Sequence, residues 1–126
     1  MSGRLSEAEK LHRQAWNGRI ETIGANHPHT LWTLSDLAKC LRDLRRLDEA
    51  CQLQEDCTQR RKQTLGPKHN DTLWSLNDIG LMYEKAGRFG EALSAHREAL
   101  EGQIDTLGRE HSATIWSNSA VRRLTR

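Results

Sequence analysis

Six histidines and three cysteines are the side chains through which this chain of 126 residues could hold a metal or support nucleophilic chemistry. Their tightest groupings are His27-Pro28-His29 and the pair Cys51 and Cys57. A structural zinc site needs four thiolate or imidazole ligands converging on one point, and these spacings assemble no such set. Cys51 and Cys57, six apart on a helix, fall on different faces. His29 has no counterpart, whereas His27, His69 and His111 recur every 42 residues at expected helix starts, where a ring nitrogen can bond the end carbonyls of the preceding helix. Catalysis fares no better. The chain has no glycine-rich phosphate loop, no Ser-His-Asp arrangement and no cysteine beside a plausible base, and its carboxylates read as surface groups. The expectation is therefore no catalytic residue, no cofactor and no metal ligand.

The tryptophans point to recognition instead. Trp32, Trp74 and Trp116 stand 42 residues apart, each one position beyond Leu31, Leu73 or Ile115. They flank the core stripe and would form a ladder. Such rings either pack between repeats or, if open, anchor a partner, because Trp and Tyr dominate binding hot spots. Trp16 falls at a core position of another helix and reads as structural.

What positions these residues is an internal repeat. Gly24, Gly66 and Gly108 share the 42-residue spacing, as do Thr30, Thr72 and Thr114; Arg88-Phe89-Gly90-Glu91-Ala92 answers Arg46-Leu47-Asp48-Glu49-Ala50 and Arg4-Leu5-Ser6-Glu7-Ala8. A fixed period in this range marks a solenoid, whose units bury their apolar faces by stacking on neighbours. Each copy holds two helices. One, here called B, shows a three-then-four spacing such as Phe89, Ala92, Leu93, His96, Ala99, Leu100, Gln103 and Ile104. Gly24, Gly66 and Gly108 follow the B helices where a left-handed residue closes a helix. The A helices open at Pro28, Asn70 and Ser112, with Pro in the first turn and Asn or Ser as the cap. Leu31, Leu34, Leu37 and Leu41 line one of them, and Leu73, Leu76, Ile79 and Tyr83 the next. Ala38 and Gly80, small at a matched site, allow a close neighbour. Glu7, Glu49 and Glu91 sit in the first turn of B, where the helix dipole favours them.

The reading is one repeat domain over 1–126: helix B at 4–23, repeats at 24–65 and 66–107, and a partial capping helix A at 108–126. In that last helix Asn118, Arg122 and Arg123 replace the apolar and small residues of the earlier copies. Nineteen basic and seventeen acidic side chains are interleaved, for a net charge of +2. No clustered basic face for nucleic acid is expected, and the run Arg42, Arg45, Arg46, Arg60, Arg61, Lys62 reads as solvated helix surface. Cys57, which stands where Ala15 and Ala99 stand in the other copies, reads as a small buried residue. With no signal-type run or membrane-length apolar stretch, a cytoplasmic protein is expected.

Leu65-Gly66-Pro67-Lys68-His69-Asn70-Asp71-Thr72, Leu76-Asn77-Asp78-Ile79-Gly80 and Gly87-Arg88-Phe89-Gly90-Glu91-Ala92 together resemble the tetratricopeptide repeat of the 42-residue kinesin light chain type, also found in tails of microbial nucleotide-binding signalling proteins. The resemblance implies an all-α fold, a tetratricopeptide-type α-solenoid of about six antiparallel helices in a right-handed superhelix. It implies a concave face lined by A helices that receives a peptide or helix from another protein. The residues at the implied contact places are Trp32, Ser35, Lys39, Arg42 and Asp43; Trp74, Asn77, Leu81, Glu84 and Lys85; and Trp116, Ser119 and Arg123. Asn77 alone keeps the family's backbone-clamping Asn. The rival expectation is a structural spacer or assembly segment of a larger receptor, binding nothing in its groove. A weak symmetric homodimer is also expected, pairing N-terminal helices through Trp16, with Leu11, Ala15, Trp16 and Ile20 exposed on the side a preceding A helix would cover. Chains built head to tail are disfavoured by Asn118, Arg122 and Arg123.

Overall fold

Each A helix starts where a histidine side chain bonds to the backbone two residues on. His27, His69 and His111 hold extended backbone, and their Nδ1 atoms accept the N–H of His29, Asp71 and Ala113, each at 3.1 Å. An orphan N–H of the first turn is thereby satisfied. This corrects the expected caps. Asn70 and Ser112 are the first helical residues, and the histidines accept from the following helix rather than bonding carbonyls of the preceding one. Pro28, which lacks an N–H, fits the first helical place.

The computed structural model describes residues 2–126, and among these the elements are six α-helices joined by tight turns: α1 (Ser2–Ile23), α2 (Pro28–Asp43), α3 (Leu47–Leu65), α4 (Asn70–Lys85), α5 (Phe89–Leu107) and α6 (Ser112–Leu124). The odd-numbered helices are of type B and the even-numbered of type A. Gly24, Gly66 and Gly108 follow the B helices at φ of 95°, 102° and 87°. The A-to-B turns need the same conformation. Gly87 supplies it at φ 78°, and Arg45, the matching residue one repeat earlier, adopts φ 67°.

The chain divides into two compact units, Met1–Arg60 and Arg61–Arg126. In the first, α1 packs on α2, and Leu31, Leu34 and Cys57 form a buried cluster against which Trp16 and Leu53 pack. Cys57 is fully buried, as its repeat position implied, and its Sγ donates to Leu31 O at 3.3 Å. Arg13 and Arg46 tie α1 to the start of α3 through Glu9 and Glu49. In the second unit α5 packs on both α4 and α6, around Leu73, Leu76 and Ala99. Leu73 enters that core because Gly102 has no side chain; a Cβ there would lie 2.5 Å from Leu73 Cδ2. Of the four residues expected on the uncovered side of α1, Leu11 and Ala15 are exposed, whereas Trp16 and Ile20 are half-buried.

Candidate functional site

Trp32 and Trp74 each keep 65% of their surface in solvent and Trp116 keeps 45%, although the leucines beside the first two are almost wholly buried. The 3.6-residue period explains the difference. Leu31 and Leu73 point into the core, and one step of about 100° turns the next side chain outward. Along the same faces lie half-buried Lys39 and Arg42 on α2, half-buried Leu81 and exposed Lys85 on α4, and exposed Ser119 and Arg123 on α6. Arg42 donates to Asp43 at 3.2 Å.

Two expected contact residues face inward. Ser35 is buried, and its Oγ donates to Gln54 Oε1 at 3.1 Å. Asn77 spends both ends of its amide within the protein: Oδ1 lies 2.9 Å from His96 Nδ1, and Nδ2 donates to Ser117 Oγ at 2.8 Å. Ser117 in turn donates to Gln103 Oε1.

Glu84 reaches across from α4 to α6. Its carboxylate accepts from Arg123 through both oxygens, and Oε2 also faces His96 Nε2 at 3.1 Å. Burial raises the Glu84 pKa, but the hydrogen bonds from Arg123 and His96, and their charges, outweigh it and hold the carboxyl below the usual range. The same pairing raises Arg123, against some desolvation. His96 is wholly buried and its pKa is lowered, chiefly by desolvation, with Glu84 opposing. The Trp116 ring packs edgewise on His96, 5.7 Å between centroids and 62° between planes.

Sequence reasoning placed His96 in the core of a B helix and Gly80 at a small site, without joining them. The structure joins them: a Cβ on Gly80 would lie 2.6 Å from the His96 ring. The signal was in the repeat, since Asn77, Gly80 and His96 depart together from Ser35, Ala38 and Gln54.

Among the described residues no group of three or more His, Cys, Asp or Glu side chains could hold a metal ion, and no helix is long and apolar enough to cross a membrane. The pattern of the tetratricopeptide repeat matches residues 1–50 and 37–105. No curated protein sequence matches the chain. Among solved structures, the chain is similar to a Podosopora anserina protein described as a kinesin light chain with nearly identical TPR-like repeats, and to a single-residue variant of that protein, each with TM-score 0.87 and 25% identity over 98% of this chain. BtubC (BKLC) from P. vanneervenii shares the fold, with TM-score 0.82 at 19% identity over 98% of this chain. The chain spans 58% of the Podosopora anserina chains and 48% of BtubC. The repeat pattern covers most of the sequence and the likeness to the solved arrays takes in nearly all of it, so the chain belongs to the tetratricopeptide repeat family, with kinesin light chain-like repeats and an all-α solenoid fold.

Proposed function

We propose that the protein is a non-enzymatic interaction module that receives a peptide or helix of another protein on the face of its A helices, the concave face by family resemblance. The observation that carries this is the exposure of Trp32, Trp74 and Trp116. Large aromatic rings left open at one repeated position are the side chains most often found at binding hot spots. Trp32, Lys39 and Arg42 form the contact set of the first unit, and Trp74, Leu81, Glu84, Lys85, Trp116, Ser119 and Arg123 that of the second. Ser35 and Asn77 are instead bonded inward, to Gln54 and to His96 and Ser117. Open rings favour this reading over that of a spacer, which would cover them with neighbouring side chains.

The test uses peptides selected from a displayed library on the wild-type protein. Trp74→Ala should weaken the selected binders by roughly 2 kcal/mol, the scale of a hot-spot residue, and leave the denaturation midpoint nearly unchanged. A large loss of stability with unchanged affinity in the folded fraction would reassign Trp74 to packing.

We also infer a weak pairing of two copies through α1. Leu11 is 59% exposed, whereas its repeat counterparts Leu53 and Ala95 are half-buried and buried.

A further inference from the structure

His96 lies under the α4 and α6 surface with both ring nitrogens against oxygen atoms, Asn77 Oδ1 at 2.9 Å and Glu84 Oε2 at 3.1 Å. A neutral imidazole has one N–H and one lone pair, so it cannot donate to both. Two complete arrangements of protons fit the row Glu84, His96, Asn77, Ser117, Gln103. With an imidazolium, Nε2–H donates to Glu84 and Nδ1–H to Asn77 Oδ1, the Asn77 amide donates to Ser117, and Ser117 donates to Gln103. With a neutral ring, Nε2–H still donates to the ionised Glu84, but Nδ1 now needs a donor. The Asn77 amide turns over to give it one, Ser117 donates to Asn77, and the Gln103 amide turns to donate to Ser117. One proton reverses the row.

The repeat contains its own version of the same place without a titratable group. Ser35, Ala38 and Gln54 stand 42 residues before Asn77, Gly80 and His96, and Ser35 bonds Gln54 directly. Gly80 is what lets an imidazole replace the amide, because even a methyl group there would overlap the ring.

We propose that His96 is a proton-operated positioning residue for the α4 and α6 face. When the ring gains a proton on Nδ1, the row reverses, and the new positive charge strengthens the Nε2–H bond that Glu84 already accepts and repels Arg123, which shares that carboxylate. Glu84 Oε2 already accepts from Arg123 Nη2 at 3.3 Å and faces His96 at 3.1 Å. Arg123, on the surface, therefore loosens, and Trp116, whose ring rests on the imidazole, senses the charge. The charged groups that face the ring are Glu84 from α4 and Arg123 from α6. Desolvation places the change on the acidic side of an ordinary histidine, with Glu84 opposing. The consequence for a bound partner rests on the function proposed above. The proton step in the chain itself does not.

The experiment is an NMR titration of the full chain with no partner present, following the His96 ring, the Trp116 indole N–H and the Arg123 Nε–H. All three should move with one midpoint below the ordinary histidine value of about 6.5. In Asn77→Ser/Gly80→Ala/His96→Gln, which copies Ser35, Ala38 and Gln54, the Trp116 and Arg123 signals should stay flat over that range in a folded protein. Glu84→Gln removes the charge that favours the imidazolium, so the His96 midpoint should fall further. The proposal is overturned if His96 titrates while Trp116 and Arg123 stay still, if their shifts persist in the triple variant, or if Glu84→Gln leaves the midpoint where it was. Because no partner enters, failure of the tryptophan face to bind a peptide is a separate result, read only from Trp74→Ala.

Discussion

At Gly80 and Gly102 the same missing side chain has two different consequences. A Cβ on Gly80 would meet three atoms of the His96 ring at 2.6 to 2.9 Å, and that ring is wholly buried and held at both nitrogens. A Cβ on Gly102 would meet the methyl end of Leu73, which can change rotamer. Replacing a helical Gly by Ala gains about 1 kcal/mol in propensity, against an overpacking cost of about 1–3 kcal/mol. Gly80→Ala should therefore destabilise by up to about 2 kcal/mol, and Gly102→Ala by less, because only the flexible end of the buried Leu73 side chain must shift, as read by urea denaturation. Equal effects would mean that the His96 ring is not fixed. The same ring gives stability a pH dependence. Its folded-state pKa is lowered, so the unfolded chain takes up the proton first, and stability present at neutral pH falls as pH drops through the unfolded value of about 6.5, until the folded value is reached. Glu84, with its pKa depressed, adds stability present above the ordinary carboxylate range and lost as pH falls through its folded pKa. The His96 part should vanish from the stability profile of Asn77→Ser/Gly80→Ala/His96→Gln. The sequence showed that position 80 is small, but not that an imidazole fills the space, because the ring comes from another helix and periodicity carries no information about which side chains meet.

Element boundaries were more legible, since glycine and proline act locally. Gly24, Gly66 and Gly108 close their helices in the left-handed region, and the apolar spacing of 3.6 placed Leu31, Leu34, Leu73 and Leu76 in the cores. The capping histidines were misread because Asn and Ser are the commoner caps, while an imidazole Nδ1 can accept the same N–H. The turn between α2 and α3 hid a strained residue behind an ordinary letter. Arg45 has φ 67°, a conformation costing an L-residue roughly 1–2 kcal/mol, and its counterpart is Gly87. Both make the same bond, Arg45 N–H to Arg42 O at 3.0 Å and Gly87 N–H to Glu84 O at 3.1 Å. Arg45→Gly should stabilise the protein by about 0.5–1 kcal/mol once the added freedom of the unfolded chain is deducted, raising the thermal midpoint by a few degrees. A lowered midpoint would show that the Arg45 side chain contributes more than its backbone costs.

For the whole molecule, the 42-residue period made the family legible before any coordinates, and it lets matched positions of α1, α3 and α5 be compared. Positions that are buried in α3 and α5, at Ala50, Cys57, Ala92 and Ala99, correspond in α1 to Ala8, which is half-buried, and Ala15, which is exposed, beside the 59% exposed Leu11. An A-type helix would fit there, but α6 carries Asn118, Arg122 and Arg123 where α4 carries Leu76, Gly80 and Leu81. Docking that face would desolvate Arg122 and the Arg123–Glu84 pair, and desolvating such charges costs several kcal/mol, which argues against a helix like α6 as the occupant from a second copy. Symmetric contact of two α1 helices avoids that cost. Two leucines and two alanines contribute about 5 kcal/mol of burial, while association alone costs about 4 kcal/mol or more, so about 1 kcal/mol at most remains and the pairing should be very weak, with a Kd well above millimolar. Trp16 is an unsuitable probe, because it packs on Leu31, Leu34 and Cys57 and a Glu there would damage the core. Leu11→Glu changes the outer face only. Sedimentation of wild type at rising concentration should show a slight shift toward dimer that Leu11→Glu abolishes without lowering the thermal midpoint. A wild type that stays monomeric, or a dimer indifferent to Leu11→Glu, removes α1 as the pairing surface, and open-ended assembly would instead mean that Arg122 and Arg123 do not prevent docking at α6.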